Sequence, residues 1–408
     1  MRPSIHGPPI ALSIFRGHSV ARWIAALALL AAAASAVLLL ARPREVEPVR
    51  TATAAGDAVC LGCHADKRHF EQTAHARTSR HPTRGAIAGS FLDGENVLRT
   101  SNPFLLFRMD SNAAGFFQSA VSGRDPNTTS HTERIAYVIG SGRKGQTYLY
   151  QHAGDELFEL PVSYWTSLGQ WVNSPGYVDG TANFGRRATP RCLECHSTWF
   201  EQVADSTRRN RYRSDGAILG ITCEKCHGAG QAHVTRERSR ARAILPRAIM
   251  NPTRLSRPRQ LEACAQCHGG VGELREAAFT YVPGRPLKDH LQLSAPLPRE
   301  EVDVHGNQVA LLARSRCFQS SQMTCSTCHD VHRTQRDLVE LSGRCLTCHQ
   351  EQSCRLFPQQ GHALKGRCVD CHMPLKTSNA IISGHEGRQE RPQVRTHWIK
   401  IYSDGSAK

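Results

Sequence analysis

One short pattern, Cys-x-x-Cys-His, occurs seven times along the chain and uses 14 of its 16 cysteines. We number the copies in chain order as motifs 1 to 7. The paired cysteines are Cys60, Cys63, Cys192, Cys195, Cys223, Cys226, Cys264, Cys267, Cys325, Cys328, Cys345, Cys348, Cys368 and Cys371. The histidines that end the motifs are His64, His196, His227, His268, His329, His349 and His372.

This spacing is typical of covalent haem attachment. Two thiols three residues apart lie about one helical turn apart, so they can form thioethers to the two vinyl groups of one haem, and the next histidine faces the iron as its proximal ligand. Zinc ribbons or a disulfide framework are the alternatives, but neither needs a histidine after every pair. We therefore interpret the motifs as attachment sites for seven haem c groups, which makes the chain a c-type cytochrome.

Two thiols, Cys317 and Cys354, lie outside the motifs. In an oxidising compartment they could form a disulfide, which is the option we favour. They could also remain buried free thiols, since an unpaired cysteine behaves as a small hydrophobic residue. Ligation of an iron by either thiolate is the least favoured option.

The N-terminal region contains a run of 19 uncharged residues, 23–41, long enough to cross a bilayer. Arg22 precedes it, Arg42 and Arg44 follow it, and the small-x-small cleavage site that the sequence offers, at 52–54, lies well downstream. The sequence predicts a cytoplasmic segment 1–22 and a transmembrane signal-anchor 23–41; a cleaved signal peptide, giving a secreted periplasmic protein, is the alternative. Haem attachment needs reduced thiols delivered across the membrane, which places the rest on the periplasmic side of the bacterial inner membrane.

The spacing of the motifs divides the remaining chain. Residues 42–55 carry two prolines and predict a linker, residues 56–85 hold motif 1, and residues 186–408 form a six-haem domain. Between them, residues 86–185 lack a motif and predict a small β-rich, haem-free insertion with strands at 134–139, 146–151 and 156–162. Hydrophobic residues make up only 40% of the chain, which gives a thin aliphatic core, so we expect the porphyrins to fill much of the interior. We therefore expect a mainly α and irregular fold with a haem-packed core, a β-rich insertion and an N-terminal transmembrane helix.

Histidines outnumber the other candidates for the second, distal iron ligand. Twelve histidines follow the anchor outside the motifs, whereas the whole chain has five methionines. The supply favours two histidines on each iron, which gives lower potentials than a His/Met pair. Four stand out by position: His75 follows motif 1, His233 follows motif 3, His332 follows motif 5, and His362 precedes motif 7.

Several stretches resemble the multihaem cytochrome c superfamily that includes the tetrahaem cytochrome of ammonia oxidation, pentahaem nitrite reductase and hydroxylamine oxidoreductase. These are Thr222–Gly228 with His233, the Cys-Ser-Thr-Cys-His-Asp-Val-His segment at 325–332, the Cys-Val-Asp-Cys-His-Met-Pro segment at 368–374, and His397 in Arg-Thr-His-Trp-Ile. The resemblance implies distal roles for His75, His233, His332, His362 and His397. It adds His290 as a further candidate, followed by His305 and His385.

Two departures from that superfamily bear on function. The chain has no Cys-x-x-Cys-Lys site of the kind that binds the catalytic haem of pentahaem nitrite reductase, and it has seven motifs where hydroxylamine oxidoreductase typically binds eight haems. We therefore expect an electron carrier rather than an enzyme, passing electrons from a quinol- or reductase-type donor protein to a downstream acceptor. The alternative is a multihaem oxidoreductase with one open haem that acts on a small nitrogen or sulfur compound.

A net charge of +16, from 51 basic and 35 acidic residues, at first suggests a nucleic-acid-binding protein. The arginine-rich stretch 231–263 nevertheless lacks an aromatic residue on which bases could stack. Seven haems would also bring fourteen propionates, which offset most of the charge. We expect no nucleic-acid partner.

Overall fold

The computed structural model describes residues 23–28, 48–50, 53–124, 126–203, 209–240, 248–294, 301–303 and 306–402. The strands are β1 (Ser79–Arg80), β2 (Val97–Arg99), β3 (Leu105–Asn112), β4 (Gly115–Arg124), β5 (Asn127–Arg134), β6 (Tyr137–Ile139), β7 (Thr147–His152), β8 (Glu156–Glu159), β9 (Val162–Trp165), β10 (Gln170–Asn173), β11 (Ser197–Gln202), β12 (Tyr212–Leu219), β13 (Gly272–Leu274), β14 (Leu291–Leu293), β15 (Leu375–Thr377), β16 (Ser383–His385), β17 (Arg388–Glu390) and β18 (Gln393–Arg395).

The α-helices are short. They are α1 (Asp57–Cys63), α2 (Pro190–His196), α3 (Cys223–His227), α4 (Gln231–Arg238), α5 (Arg257–His268), α6 (Leu287–His290), α7 (Gln308–Ala313), α8 (Arg316–Gln319), α9 (Leu338–Cys345), α10 (Phe357–Gln360) and α11 (Cys368–His372). 3-10 helices occupy Ala65–Gln72, Pro252–Arg254, Cys325–Thr327, Glu351–Ser353 and Gly361–Gly366.

Two four-stranded antiparallel sheets form the segment between motifs 1 and 2. One has the order β2-β3-β4-β5, and the other has the order β1-β6-β7-β8. The strands predicted at 134–139, 146–151 and 156–162 correspond to β6, β7 and β8. Smaller two-stranded sheets pair β9 with β10, β11 with β12, β13 with β14, β15 with β18 and β16 with β17.

The sheet that contains β7 is buried on both faces, because successive side chains of a strand point to opposite sides. Tyr148 packs with Phe107 and Trp171 in a core that joins the two four-stranded sheets. The adjacent Leu149 packs on the other side in a second core with Leu193, between the cysteines of motif 2. The β-rich segment and the motif-bearing segment therefore share a core.

The strand content corrects the predicted fold class. The structure is 29% helical and 26% strand, with several small sheets, so the predicted mainly α fold is wrong. Most helices only carry or flank a motif, and the long connections between motifs fold into hairpins. In the part of the chain that is described, no helix has the length and apolar character to cross a membrane; residues 29–41 of the predicted span lie outside it.

Contacts divide the chain into a large compact unit, Val46–Val234 with Ile249–Lys408, and a small one, Met1–Glu45 with Thr235–Ala248. In the small unit, residues 23–28 and 235–238 are helical. All seven motifs belong to the large unit. The domain boundaries drawn at residues 55, 85 and 185 stay predictions.

Candidate haem sites

Each motif forms about one helical turn. Motifs 1, 2, 3, 4 and 7 lie on α1, α2, α3, α5 and α11, motif 5 begins on a 3-10 turn, and motif 6 begins at the end of α9. In motifs 1, 5 and 6 the backbone N–H of the histidine donates to the carbonyl of the first cysteine, each at 2.9 Å. The turn brings both thiols and the histidine to one side of the backbone, as thioether attachment requires.

Three motif histidines face a second imidazole across a gap. The ring centroids of His75 and His268 are 6.1 Å apart, those of His227 and His332 are 6.2 Å apart, and those of His329 and His397 are 6.2 Å apart. A nitrogen–metal bond of about 2 Å on each side, plus about 1 Å from nitrogen to ring centre, gives a separation of roughly 6 Å for two imidazoles on one iron. The residues therefore fit a haem iron between the two rings of each pair.

Hydrogen bonds at the opposite ring nitrogen support this interpretation. Nδ1 of His227 donates to the carbonyl of Met250 at 2.7 Å, and Nδ1 of His372 donates to the carbonyl of Lys400 at 2.9 Å. Nδ1 of His397 donates to the carbonyl of Arg395 at 3.3 Å. A proton fixed on Nδ1 leaves the lone pair on Nε2 for a metal, which is the usual arrangement around metal-binding histidines.

Burial keeps these imidazoles neutral. Removal from water lowers the pKa of His75 to about 4, with a further contribution from nearby His268, and it lowers the pKa of His397 to about 4, with a contribution from His329. Burial also lowers the pKa of the partner His268. A neutral imidazole is the form that can bind iron, so these side chains need not lose a proton at neutral pH.

Thiols from different motifs meet. The thiols of three pairs lie close enough to shift each other's pKa: Cys60 with Cys223, Cys195 with Cys267, and Cys264 with Cys325. Each pair brings together two motifs: 1 with 3, 2 with 4, and 4 with 5. Haems attached at these thiols would therefore have their edges close together.

The alternatives for the cysteines find no support in the described residues. There, no group of three or more His, Cys, Asp or Glu side chains is arranged to hold a metal ion directly, as a zinc site would require. Cys317 and Cys354 both carry free thiols. The disulfide that we favoured for them is not formed in this structure.

The other predicted distal ligands have different surroundings. His290 is buried, and its Nε2 lies 2.8 Å from Oε1 of Glu194. His362 is exposed, and its Nδ1 lies 2.7 Å from Oε1 of Glu351. His233 lies half-buried on α4, and the side chains of His305 and His385 lie outside the described part. As iron ligands, all five stay predictions.

Comparison with known proteins agrees with this geometry. A family model described as "Cytochrome c554 and c-prime" matches residues 175–228, which contain motifs 2 and 3. This match supports a cytochrome c family and the binding of haem c. No curated protein and no solved structure matches the chain significantly.

Sequence reasoning missed the acidic residues inside three motifs. Glu224, nearly fully buried in motif 3, accepts backbone N–H bonds from Ala55 at 2.8 Å, Gly56 at 3.1 Å and Gly230 at 2.6 Å. Asp370 in motif 7 accepts a bond from Arg395. The sequence did contain a signal for them, namely a carboxylate at a variable position between the two cysteines. Haem attachment does not need a carboxylate there, so its presence indicates another role.

The carboxylate of Glu194 in motif 2 is the most deeply held of these groups. Its Oε1 accepts bonds from the backbone N–H of Phe279 and from His290, and its Oε2 pairs with Arg191 at 3.0 Å. Burial alone would raise the pKa of Glu194, but the His290 bond and the positive charge of Lys225 outweigh it and lower the pKa to about 2. The carboxylate is therefore ionised at neutral pH and fixes motif 2 against the segment 279–290.

Proposed function

We propose that the chain is a heptahaem c-type cytochrome that transfers electrons through closely spaced haems, mostly ligated by two histidines. The observation that carries the proposal is a set of three imidazole pairs whose ring separation would accommodate one iron. The pairs are His75 with His268, His227 with His332, and His329 with His397. Two strong ligands on an iron leave no position for a substrate. Haem iron in such a site supplies one-electron chemistry.

Contacts between motifs support a continuous path. Besides the three thiol pairs, Cys328 of motif 5 lies within electrostatic range of Cys348 of motif 6, and Cys345 of motif 6 lies within electrostatic range of Cys368 of motif 7. His332, three residues after motif 5, faces the histidine of motif 3. Together these contacts connect all seven motifs, with motif 5 adjacent to motifs 3, 4 and 6.

The chemistry of attachment also underlies the proposed location and partners. Thioethers form between haem vinyl groups and reduced thiols after the chain has crossed the membrane, so we place the motif-bearing part in the periplasm. A carrier with saturated irons needs a donor and an acceptor. We propose a quinol- or reductase-type donor protein and a downstream acceptor protein.

A second candidate is a multihaem oxidoreductase with one open haem. The observation in its favour concerns His64 and His349, which are both exposed. In the described ranges, neither ring packs against a second imidazole. An iron at motif 1 or motif 6 could then keep a position for a small nitrogen or sulfur compound.

A haem count and a ferric spectrum test the proposal. We expect seven haems per chain by pyridine haemochrome, one fewer in the Cys368→Ser/Cys371→Ser variant, and an unchanged count in the control Cys317→Ser/Cys354→Ser. The ferric spectrum should be low-spin and should not respond to cyanide, nitrite or hydroxylamine. A high-spin signal that shifts with one of these ligands would support the oxidoreductase instead, and a count below seven would contradict the heptahaem assignment.

A further inference from the structure

The segment 393–400, which we call the C-terminal strap, contacts motif 7 but carries the imidazole that faces motif 5. We propose that Arg395 and Asp370 are positioning residues: their ion pair holds the strap on motif 7 so that His397 reaches the iron of motif 5. This inference rests on the proposed function, because it assumes a haem at each of the two motifs. It means that a residue inside one haem motif controls the ligation of another haem.

The side chain of Arg395 binds motif 7 at three points. Its Nη2 donates to Oδ1 of Asp370 at 2.9 Å, and its Nη1 donates to the carbonyls of Met373 at 2.8 Å and Val369 at 3.2 Å. The planar guanidinium has its donors in a fixed fork, so contacts in two directions define both the position and the orientation of the group. The Arg395 side chain is about three-quarters buried, which limits competition from water.

The backbone of the strap continues this attachment. β18 pairs with β15, placing Arg395 opposite Leu375, two residues after Met373. The next N–H, from Thr396, donates to the carbonyl of Pro374 at 3.1 Å. The part of the strap just before His397 is therefore fixed to the segment that follows motif 7.

Beyond His397 the strap is fixed twice more. The carbonyl of Lys400 accepts the Nδ1–H of His372, the motif 7 histidine, at 2.9 Å. The fully buried hydroxyl of Ser315 accepts from the N–H of Ile399 at 2.8 Å and donates to the carbonyl of His397 at 3.3 Å. One short segment therefore holds the ring of His372 and presents the ring of His397.

The backbone of the strap orients the ring of His397. The ring of His397 lies 6.2 Å from that of His329, which leaves a gap for the iron, and its Nδ1–H donates to the carbonyl of Arg395. Arg395 thus fixes both the strap, through its side chain, and the ring, through its backbone. Release of the guanidinium should let the ring move away from the iron.

Four variants test the inference by ferric absorption and electron paramagnetic resonance, which count high-spin haems. Arg395→Gln and Asp370→Asn should each raise the high-spin signal toward one haem per chain, with Asp370→Asn weaker because two carbonyl bonds to Arg395 remain. His397→Ala should give one full high-spin haem. Arg391→Gln is the matched control, since Arg391 is an exposed arginine two residues before the strap that contacts only the nearby Asn379 among the described residues.

A double variant locates the effect. Arg395→Gln combined with His397→Ala should give no more high-spin haem than His397→Ala alone, because both changes act on the same iron. The inference is overturned if Arg395→Gln and Asp370→Asn keep the fully low-spin spectrum, or if the double variant shows two high-spin haems. If His397→Ala itself leaves every haem low-spin, the assigned ligation, and with it the support for the proposed function, fails instead.

Discussion

At the scale of the residue, the role of a histidine depends on what its ring faces. His75 and His290 are both candidate ligands in the sequence. The ring centroid of His75 lies 6.1 Å from that of His268, which leaves room for an iron between them, whereas Nε2 of His290 is hydrogen-bonded to the buried carboxylate of Glu194. For His290 to act as an iron ligand, which stays a prediction, the iron would have to replace this charge-assisted hydrogen bond at Nε2 or be bound by Nδ1.

Single substitutions of the paired histidines should each change one haem. We expect His75→Ala and His332→Ala to convert one low-spin haem to high-spin, at motif 4 and motif 3 respectively, because alanine leaves the iron without its second imidazole. The ferric spectrum of each purified variant measures this. His131→Ala is the control: this histidine of β5 was not a candidate ligand, its side chain is 57% exposed and pairs with Glu133, so the spectrum should stay unchanged. A change in the control but not in the paired histidines would reverse our assignment.

At the scale of the element, the motif helices are too short to be stable on their own. α1 has seven residues and α3 has five, whereas isolated helices need about 12–15 residues to persist in water. They stabilise each other instead. Asp57 on α1 accepts the N–H of Cys223 at 2.9 Å, and Glu224 on α3 accepts the N–H groups of Ala55 and Gly56. Each motif thus caps the start of the other, as an N-cap side chain does within one helix.

A glycine next to motif 3 lets the segment of His75 approach. Gly220 has a φ of +71°, and a Cβ there would lie 2.3 Å from the carbonyl oxygen of Ala76. The N–H of Gly220 donates to the hydroxyl oxygen of Ser79, and the N–H of the next residue, Ile221, donates to the carbonyl of His75. Backbone atoms cannot move aside as a flexible side chain can, so the His75 segment would have to shift.

We therefore expect Gly220→Ala to lower stability and to produce a high-spin haem at motif 4. Gly154→Ala is the matched control, because Gly154 has a similar φ of +76° but no atom within 4 Å of the added Cβ. The control should show only the backbone strain of a left-handed alanine, about 1–2 kcal/mol. Denaturant unfolding and the ferric spectrum give the two readouts; equal effects of both substitutions would contradict the contact with Ala76.

At the scale of the whole molecule, the basic charge complements the cofactors. After residue 55 the chain has 45 basic and 33 acidic residues, a net charge of +12. Fourteen propionates from the seven haems that we propose would exceed that surplus slightly, while each ferric iron in a porphyrin would restore one positive charge. The charge of the protein thus depends on the haems that it carries and on their oxidation state.

The isoelectric point should report this balance. We expect the haem-loaded protein to focus well below the value of 9.4 calculated for the chain alone, and the reduced form to focus below the oxidised form. Isoelectric focusing in urea of the loaded chain beside the same chain produced without haem provides the comparison. A loaded protein that focuses near the haem-free chain would contradict the proposed number of haems.

The strands show how far a local pattern can predict the fold. β6, β7 and β8 lie where alternating Tyr, Leu and Val residues predicted them, because that pattern depends only on neighbouring residues. The sequence did not reveal that the adjacent side chains of Tyr148 and Leu149 pack in two different hydrophobic cores. That distribution depends on which elements cover each face of the sheet, and those elements are distant in the sequence.

The sequence by itself determined the seven places where haem can attach, because the two thiols and the proximal imidazole of each place lie within five consecutive residues. It also limited the distal ligands to a set of histidines. Only the tertiary structure decided the partners: His75 faces His268, His332 faces His227, and His397 faces His329. The physical reason is that a proximal ligand is fixed by a single helical turn, whereas a distal ligand is brought to the iron by packing between segments that are far apart in the chain.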